Sequence, residues 1–580
     1  MINNKPLVYY CFALLIGSYS ALLLLNNKNI LGAVLAASFL LITMLSNKSP
    51  LVYILPIFLL IGFFRYYSYY RIQVPEVCNL RFQGTEGIYS IANYKGRKVI
   101  LKGDLKQCKI GQYIQVTGEY KSMAQFDRGI IGEINISSVN KKESDYFTKI
   151  YEFKESLYKR YKEEIGEEAA GEVMAAAFGH DNYLSSESKT DMSNLGVIHV
   201  VSVSGLHMAL IYKISELILG FGGSIIVALV YCIFTGGYSS TVRALIMIIV
   251  FKLSKKVYRN YEAFSSLSMA AIIVLFINPA NALDLATLLS FLSVLGIFIF
   301  YKKFLKVLYR LPVKLNESIS LTLSAQVFSL PLSIVVFNSI STASIQGNIF
   351  LVPIYSLLMV LGNLSLLFLN INFLFKKLCL GIKISYSAIE GCKCFLLKVS
   401  TGVIYMSMSE VWVLIIIYAS YFLYKRGYKK FLWLPLFSLV FYGLYNFSFT
   451  PQFQFVKLGS SRGIIYRSAF NSVLFLDKEK VNENELLVKK KFNVRKVEDF
   501  DKGHYCHGDK ELKLSQDNSK IHLTYFYGKR PLVIVFTKEN MAAKTDNLYD
   551  IIYLPYNKES YQYYDQLYRI SLVFHRPIIE

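Results

Sequence analysis

The chain has 580 residues, 54% of them hydrophobic and 18% charged, with a mean hydropathy of +0.38. Soluble domains carry about 25% charged residues, so this composition excludes an ordinary soluble protein and calls for a largely non-aqueous environment. The net charge of +23 fits lysines and arginines held on one side of a membrane, or set against a polyanion.

Hydrophobic runs at 7–25, 30–46 and 50–64 open the chain. The first is too long for a signal-peptide core and no small-residue cleavage site follows it, so it reads as a retained helix. A bilayer core of about 30 Å takes ~20 apolar residues per helix, which leaves the third run short. With 44 Tyr and two Trp, tyrosine is expected to form any interfacial aromatic belt.

Residues 66–142 change character. Gly84, Gly87, Gly96, Gly103, Gly111 and Gly118 punctuate strand-like stretches such as 98–101 and 113–117, the spacing of a small β-barrel. Between Arg65 and Lys149, 14 Lys/Arg stand against 8 Asp/Glu, a balance of +6. A barrel of this kind suits single-stranded nucleic acid. Lys95, Arg97, Lys98, Lys102, Lys106 and Lys109 would draw in phosphates, and Tyr94 and Tyr113 would stack bases. A solvated β-domain accounts for the charge equally well. Residues 143–169 form a linker in which Phe147, Ile150, Tyr151, Phe153, Leu157, Tyr158 and Tyr161 recur among charges, as in an amphipathic helix at a bilayer surface.

A second apolar section covers 170–448, with spans expected near 197–220, 223–235, 239–254, 263–277, 285–301, 318–337, 346–371, 379–402, 411–424 and 431–448. Several are shorter than ~17 residues and suggest half-helices or re-entrant segments, which need protein or water over their backbone. Alternating sides from an inside N-terminus places Lys252, Lys255, Lys256 and Arg259 in one inside loop, and Lys302, Lys303, Lys306, Arg310 and Lys314 in the next. Lys376 and Lys377, then Lys425, Arg426, Lys429 and Lys430, complete the series, while 278–284 and 338–344 hold no Lys or Arg. That pattern predicts a multi-pass protein of the cytoplasmic membrane, with both soluble parts outside the cytoplasm. On the oxidising side Cys78 and Cys108, the cysteines of the insertion, are expected to form a disulfide closing a 31-residue loop, worth roughly 3–4 kcal/mol. Cys11, Cys232, Cys379, Cys392 and Cys394 lie in or beside apolar runs and read as packing residues.

The fold class expected is thus a polytopic α-helical membrane protein with an inserted small β-barrel of the oligonucleotide-fold type and a C-terminal α+β soluble domain. Its parts are N-terminal helices at 1–65, the barrel at 66–142, the linker at 143–169, the channel-like core at 170–448 and the C-terminal domain at 449–580.

The most informative stretch is Gly196 to His207, with His199, Ser202, Ser204, Gly205 and His207 inside an apolar run. Polar groups there must pair or line a wet cavity. On a continuous helix His199 and Ser202 would share one face, and Ser204 and His207 another. Hydrogen-bond glue between helices is the plain alternative. Arg243, Asp284, Gln326 and Asn348 add further polar groups. Arg243 and Asp284 would lie near the same surface, where a structural ion pair is the competing reading.

The run from His199 through Val-Val-Ser-Val-Ser-Gly-Leu to His207 resembles the signature of ComEC family competence proteins. The likeness continues through Phe178–His180, Thr235 to Ala244 with Arg243, Asn278-Pro279 to Asp284, Leu289 to Ser293, Ala325-Gln326, Pro331, Phe337, Asn348 and Pro353. It spans about 170–370. The resemblance implies a channel importing single-stranded DNA in natural transformation, with an oligonucleotide-fold domain outside. His199, Ser202, Ser204, Gly205, His207, Arg243, Asp284, Gln326 and Asn348 would line or gate the path. It also implies partners: membrane lipid, a DNA receptor or pilus components outside, a cytoplasmic ATP-driven translocase, single-stranded-DNA-binding proteins and a separate nuclease. No Gly-x4-Gly-Lys-Ser/Thr loop occurs in the chain, consistent with an external motor.

Many members end in a metallo-β-lactamase-like domain, and 453–459 and 473–477 resemble its first strands. The paired-metal ligand pattern that activates water is not matched by His504, Cys506, His507, Asp509, His522 and His575, so a degenerate domain with no metal or other cofactor is expected. Its 21 Lys/Arg against 16 Asp/Glu still suit DNA. Two other functions compete: an intramembrane hydrolase or metal-dependent enzyme using His199, Ser204 and His207, and a small-solute transporter with broken helices.

Overall fold

A computed structural model describes the chain from residue 5 to 499, outside 47–48, 87–88, 104, 106–107, 142–144, 202, 401, 459–460, 477–487 and 490; beyond 499 it describes the backbone of the strands named below. The chain divides into two units, one comprising 1–329 and 341–402, the other 330–340 and 403–580.

The first unit opens with α1 (Pro6–Leu25), α2 (Asn29–Ser46) and α3 (Leu55–Tyr70). Gly17 and Gly62 let α1 and α3 touch backbone to backbone. A Cβ at Gly17 would lie 2.0 Å from the Leu59 carbonyl oxygen, and one at Gly62 would lie 2.1 Å from that of Leu14. Small residues serve this purpose between membrane helices, where lipid removes the hydrophobic drive.

Next comes a closed barrel of β1 (Val77–Glu86), β2 (Tyr89–Tyr94), β3 (Arg97–Lys102), β4 (Tyr113–Lys121) and β5 (Ile130–Lys141). Its strand order is β1-β2-β3-β5-β4, with β3 and β5 parallel and a bulge in β1 between Phe82 and Gly84. Closure removes the exposed edges that glycine-rich strands otherwise present. The barrel is seated on the helices: Tyr69 Oη donates to the Gly129 carbonyl at 3.0 Å, Arg97 Nε donates to the Tyr69 carbonyl at 2.9 Å, and Gly129 abuts Ala280.

The disulfide expected between Cys78 and Cys108 is not formed in this structure. Both side chains belong to the barrel's apolar cluster, Cys78 inside it and Cys108 packed against it. Cys78 is buried on β1, and burial raises its thiol pKa, so it serves as a small core hydrophobe.

α4 (Tyr146–Ile165) starts at Asp145, whose carboxylate accepts from the Thr148 amide at 2.9 Å and pairs with Arg81 of β1. Partial burial opposes ionisation, but the hydrogen bonds from Arg81 and Thr148 outweigh it and hold the Asp145 pKa at about 2. Of the apolar residues expected to rest on a bilayer, Leu157, Tyr158 and Tyr161 instead face protein, buried with Ile165 against α5 (Glu167–Phe178), while Phe147 and Phe153 are exposed. α6 (Ser186–Asn194) follows.

The membrane core continues with α7 (Gly205–Phe234), α8 (Ser239–Lys256), α9 (Ala263–Ile277), α10 (Leu285–Val307) and α11 (Val313–Phe337). After the short strand β6 (Ser339–Ser341) come α12 (Ser344–Leu367) and α13 (Asn372–Val399). β7 (Val403–Tyr405), α14 (Met408–Lys425) and α15 (Leu434–Tyr445) belong to the second unit.

α7 is broken at Gly220, with φ 65° and ψ −169°, into two arms of about 22 Å each at 1.5 Å per residue. The two short spans expected at 197–220 and 223–235 are these arms. Among the described residues eight helical segments are long and apolar enough to cross a membrane, and α9 is a shorter apolar helix. α8, α13 and α15 are not among them, although the sequence predicts spans there. In α13 the reason is charge: Lys376, Lys377, Lys383, Glu390, Lys393 and Lys398 make it amphipathic.

In the second unit, β8 (Ser448–Leu458), β9 (Ser461–Ala469), β10 (Asn471–Leu476) and β11 (Lys496–Asp499) bury Val456, Ile465, Leu474 and Val497 in one cluster. β12 (His504–His507), β13 (Lys510–Asp517), β14 (Lys520–Tyr527), β15 (Arg530–Thr537), β16 (Thr545–Asp546), β17 (Asp550–Pro555), β18 (Tyr564–Val573) and β19 (Arg576–Ile579) follow. They complete two six-stranded sheets, ordered β11-β10-β9-β8-β18-β19 and β12-β13-β14-β15-β17-β16. The stretches 453–459 and 473–477, read as strands from sequence, fall largely on β8 and β10. The side chains of His504, Cys506, His507 and His522 lie outside the described residues, as do Asp509 and His575. Among the described residues no group of three His, Cys, Asp or Glu is placed to hold a metal.

Candidate functional site

The polar residues of the signature do not ride on one helix. Gly196 has φ +69°, a single 3₁₀ turn covers Ile198–Val200, and Ser204 is extended before α7 begins at Gly205. A Cβ at Gly196 would lie 2.7 Å from that of Ser344 at the start of α12, so glycine is required both for conformation and for space. Gly347 answers from α12, 2.6 Å from the Leu195 carbonyl oxygen by the same measure. The expected sharing of faces between His199 and Ser202, and between Ser204 and His207, is therefore replaced by a loop followed by a helix start. Ser202 lies outside the described residues.

His207 folds back over that start. Its Nδ1 accepts the Ser204 amide at 3.0 Å and lies 2.9 Å from Ser204 Oγ. Accepting a backbone N–H requires a bare Nδ1, so the proton sits on Nε2, and the ring's remaining hydrogen bond is to the Ala176 backbone of α5. His207 is 2% exposed. His199 hydrogen-bonds the Gly196 backbone while keeping an exposed surface.

Arg243 reaches the same place from α8. Its guanidinium lies 3.4 Å from the position a Cβ would take on Gly205, Nη1 donates to the Ser290 carbonyl of α10 at 2.6 Å, and Phe291 lies beneath it at 5.7 Å. The residue is 7% exposed, and its Nε has no hydrogen-bond partner among the described residues. Asp284 does not neutralise it. That carboxylate caps α10, accepting from the Thr287 amide at 2.9 Å and hydroxyl at 2.7 Å, and Thr287 in turn bonds Ser239 at the head of α8. The ion pair weighed from sequence is replaced by a helix cap. Gln326 donates to Ser344 Oγ at 3.0 Å, which ties α11 to the head of α12. Asn348 is half-buried on the next turn of α12.

The starts of α7, α8, α10 and α12 are thereby gathered into one layer, linked by Arg243, the Thr287–Ser239 bond and the Gly196–Ser344 contact. Each contributes the positive end of a helix dipole, those of α7 and α10 being capped by Ser204 and Asp284. The loop between α9 and α10 that touches the barrel at Gly129 lies at this same end. A buried guanidinium with no carboxylate paired to it among the described residues, set among helix N-termini, favours anions.

The barrel residues expected to meet DNA fare unequally. Lys95 and Lys109 are exposed and Lys98 is half-buried. Arg97 is spent on the carbonyls of Ser68 and Tyr69, and Lys102 pairs with the buried Glu133. Tyr94 is buried in the barrel core, so its face is not open to bases. Tyr113 is half-buried beside Arg81, and Lys106 lies outside the described residues.

One group escaped notice in the sequence. Lys154 occupies the apolar face of α4, in register with Leu157, Tyr158 and Tyr161, and is 4% exposed. A lysine at i before apolar residues at i+3, i+4 and i+7 is the signal that reveals it.

The Competence protein family model matches residues 177–426. The chain is also similar to ComE operon protein 3 of Bacillus subtilis (strain 168), 25% identical over 221 residues, which cover 36% of this chain and 28% of that protein. The matched part is therefore under a third of that relative's length. No solved structure matches. The signature, Arg243 and Gln326 all lie inside the matched segment, so residues 177–426 are a region of the Competence protein type, similar to ComE operon protein 3.

Proposed function

We propose that this chain conducts single-stranded DNA through the cytoplasmic membrane during natural transformation. The observation that carries the reading is Arg243, a buried cation with no carboxylate partner among the described residues, at the junction of helix N-termini. A passing phosphodiester would supply the missing anion, and in a low-dielectric setting that interaction is strong. The barrel supports the reading: a five-stranded Greek-key closure is the architecture of the oligonucleotide-binding fold, and Lys95, Lys98 and Lys109 would gather the strand by a salt-sensitive attraction. Barrel and N-terminal layer would face outward, since the lysine-rich loops after α8 and α10 lie at the opposite helix ends. A cytoplasmic ATP-driven partner would supply the driving force, a reading with which the lack of a P-loop in this sequence agrees.

Arg243→Gln keeps size and polarity but removes the charge. It should abolish internalisation of labelled DNA while the protein still reaches the membrane at its normal level; normal uptake in that variant would sink the reading.

The Ser204–His207 contact favours a second reading, an intramembrane hydrolase with Ser204 as nucleophile and His207 as base. The channel reading is preferred because the same Nδ1 already holds the Ser204 amide. That makes the contact a helix cap first.

A further inference from the structure

We propose that Lys154 forms a second phosphodiester site, lying between the barrel and the Arg243 layer, which holds the backbone of single-stranded nucleic acid on its way into the membrane core. This rests on the channel reading and adds a station to it.

Lys154 projects from α4 into a ring of aromatic groups. Its ammonium lies 4.9 Å from the Phe234 ring and 5.7 Å from that of Tyr151, and its charge is felt by His180. Among the described residues no carboxylate pairs with it, so its burial is offset by ring faces alone, which is a weak compensation. Burial lowers its pKa to about 8, and it remains mainly charged at neutral pH. His180, half-buried and next to this charge, has its pKa lowered to about 4, by desolvation first and Lys154 second, and stays neutral. Lys154 is thus a cation with no carboxylate paired to it among the described residues; the Asp181 carboxylate, which also acts on His180, is paired with Lys189.

Its place in the fold points to what it meets. Tyr151 packs on Gly111 of the barrel, where an added Cβ would come within 2.1 Å of the ring. Phe234 stacks edge-on against Phe178, and the next residue, Gly179, abuts Val203. The Val203 carbonyl accepts from Ser240 at 2.8 Å, one turn before Arg243. Lys154 and Arg243 are therefore joined by a chain of packed residues, and among the described residues neither pairs with a carboxylate. Around Lys154 the half-buried rings of Tyr151, His180 and Tyr183, and the exposed Tyr238 beside Gly179, offer π-faces for bases. Phospholipid headgroups share the phosphodiester chemistry, but they offer no base to this aromatic surround. The nucleic acid is the better match.

The test uses the full chain in nanodiscs of phosphatidylcholine, with fluorescent oligothymidylate titrated at several salt concentrations. Lys154→Met keeps the buried volume, and loss of an uncompensated charge should raise the unfolding temperature while weakening binding at least several-fold. The slope of log affinity against log salt should fall by about 0.7, the value of one phosphate contact on a single strand. Lys154→Arg should restore most of both. Unchanged affinity and slope in a folded Lys154→Met protein overturns the site, and so does an effect seen only when anionic lipid is added to the nanodisc. If wild type itself fails to bind oligothymidylate, the channel reading falls with it; if only Arg243→Gln weakens binding, this site alone falls.

Discussion

At the scale of single residues, the contact between Ser204 and His207 separates two chemistries. A hydrolase needs the Ser204 hydroxyl, whereas a helix cap needs the His207 Nδ1 lone pair and its opposite N–H. Ser204→Ala should therefore leave DNA uptake near wild type. His207→Ala strands the Ser204 amide and breaks the link to the Ala176 backbone, at about 1–3 kcal/mol for each buried group left unpaired. It should lower both thermal stability and uptake. Uptake lost in Ser204→Ala with stability intact would instead support the enzyme. Residue identity alone shows that His207 is unusual in an apolar run. Its tautomer and partners depend on α5, a segment about 30 residues earlier.

Among the elements, the break in α7 carries the most information. Gly220 holds a backbone conformation that side chains rarely adopt, yet a Cβ added there would meet nothing within 4 Å. Gly222 is equally uncrowded and has no positive φ. Gly220→Ala should thus destabilise the protein by about 1–3 kcal/mol through strain, and Gly222→Ala should be nearly neutral; thermal unfolding of the two variants side by side decides it. Equal effects would mean that the turn is not set by its backbone angles. Apolar periodicity predicts the two arms of this hairpin, because each arm buries or greases a face locally. The same periodicity misses the start of α7 at Gly205. That boundary depends on Gly196 fitting against Ser344, a contact nearly 150 residues away in sequence.

For the whole molecule, the question is which side faces out. The barrel contact at Ala280 and the starts of α7, α8, α10 and α12 share one end, and the lysine-rich segments that close α8 and α10 lie at the far ends of those helices. With Cys394, the exposed thiol of α13, replaced by Ser, a Lys95→Cys protein should react with a membrane-impermeant thiol reagent in intact cells. A Lys256→Cys protein should react only after permeabilisation. Reversed labelling would invert the topology and remove the barrel as a collector of external DNA.

The membrane-spanning character, the inserted barrel and the signature residues of the core are all legible along the chain. They follow from composition, period and motif, which act over a few residues and need no knowledge of distant neighbours. Which polar groups are compensated emerges only once the chain is packed. Asp284, Arg97 and Lys102 carry charges as promising in sequence as that of Arg243, yet each is satisfied by a cap, a carbonyl or a buried carboxylate. Tyr94 is as aromatic as Tyr238, but one lies in a core and the other is exposed. Lys154, which blends into a charged linker when read along the chain, becomes a buried cation once α4 is packed. The energy of a charge in a membrane protein is set by what surrounds it, and those surroundings are assembled from segments far apart in the sequence.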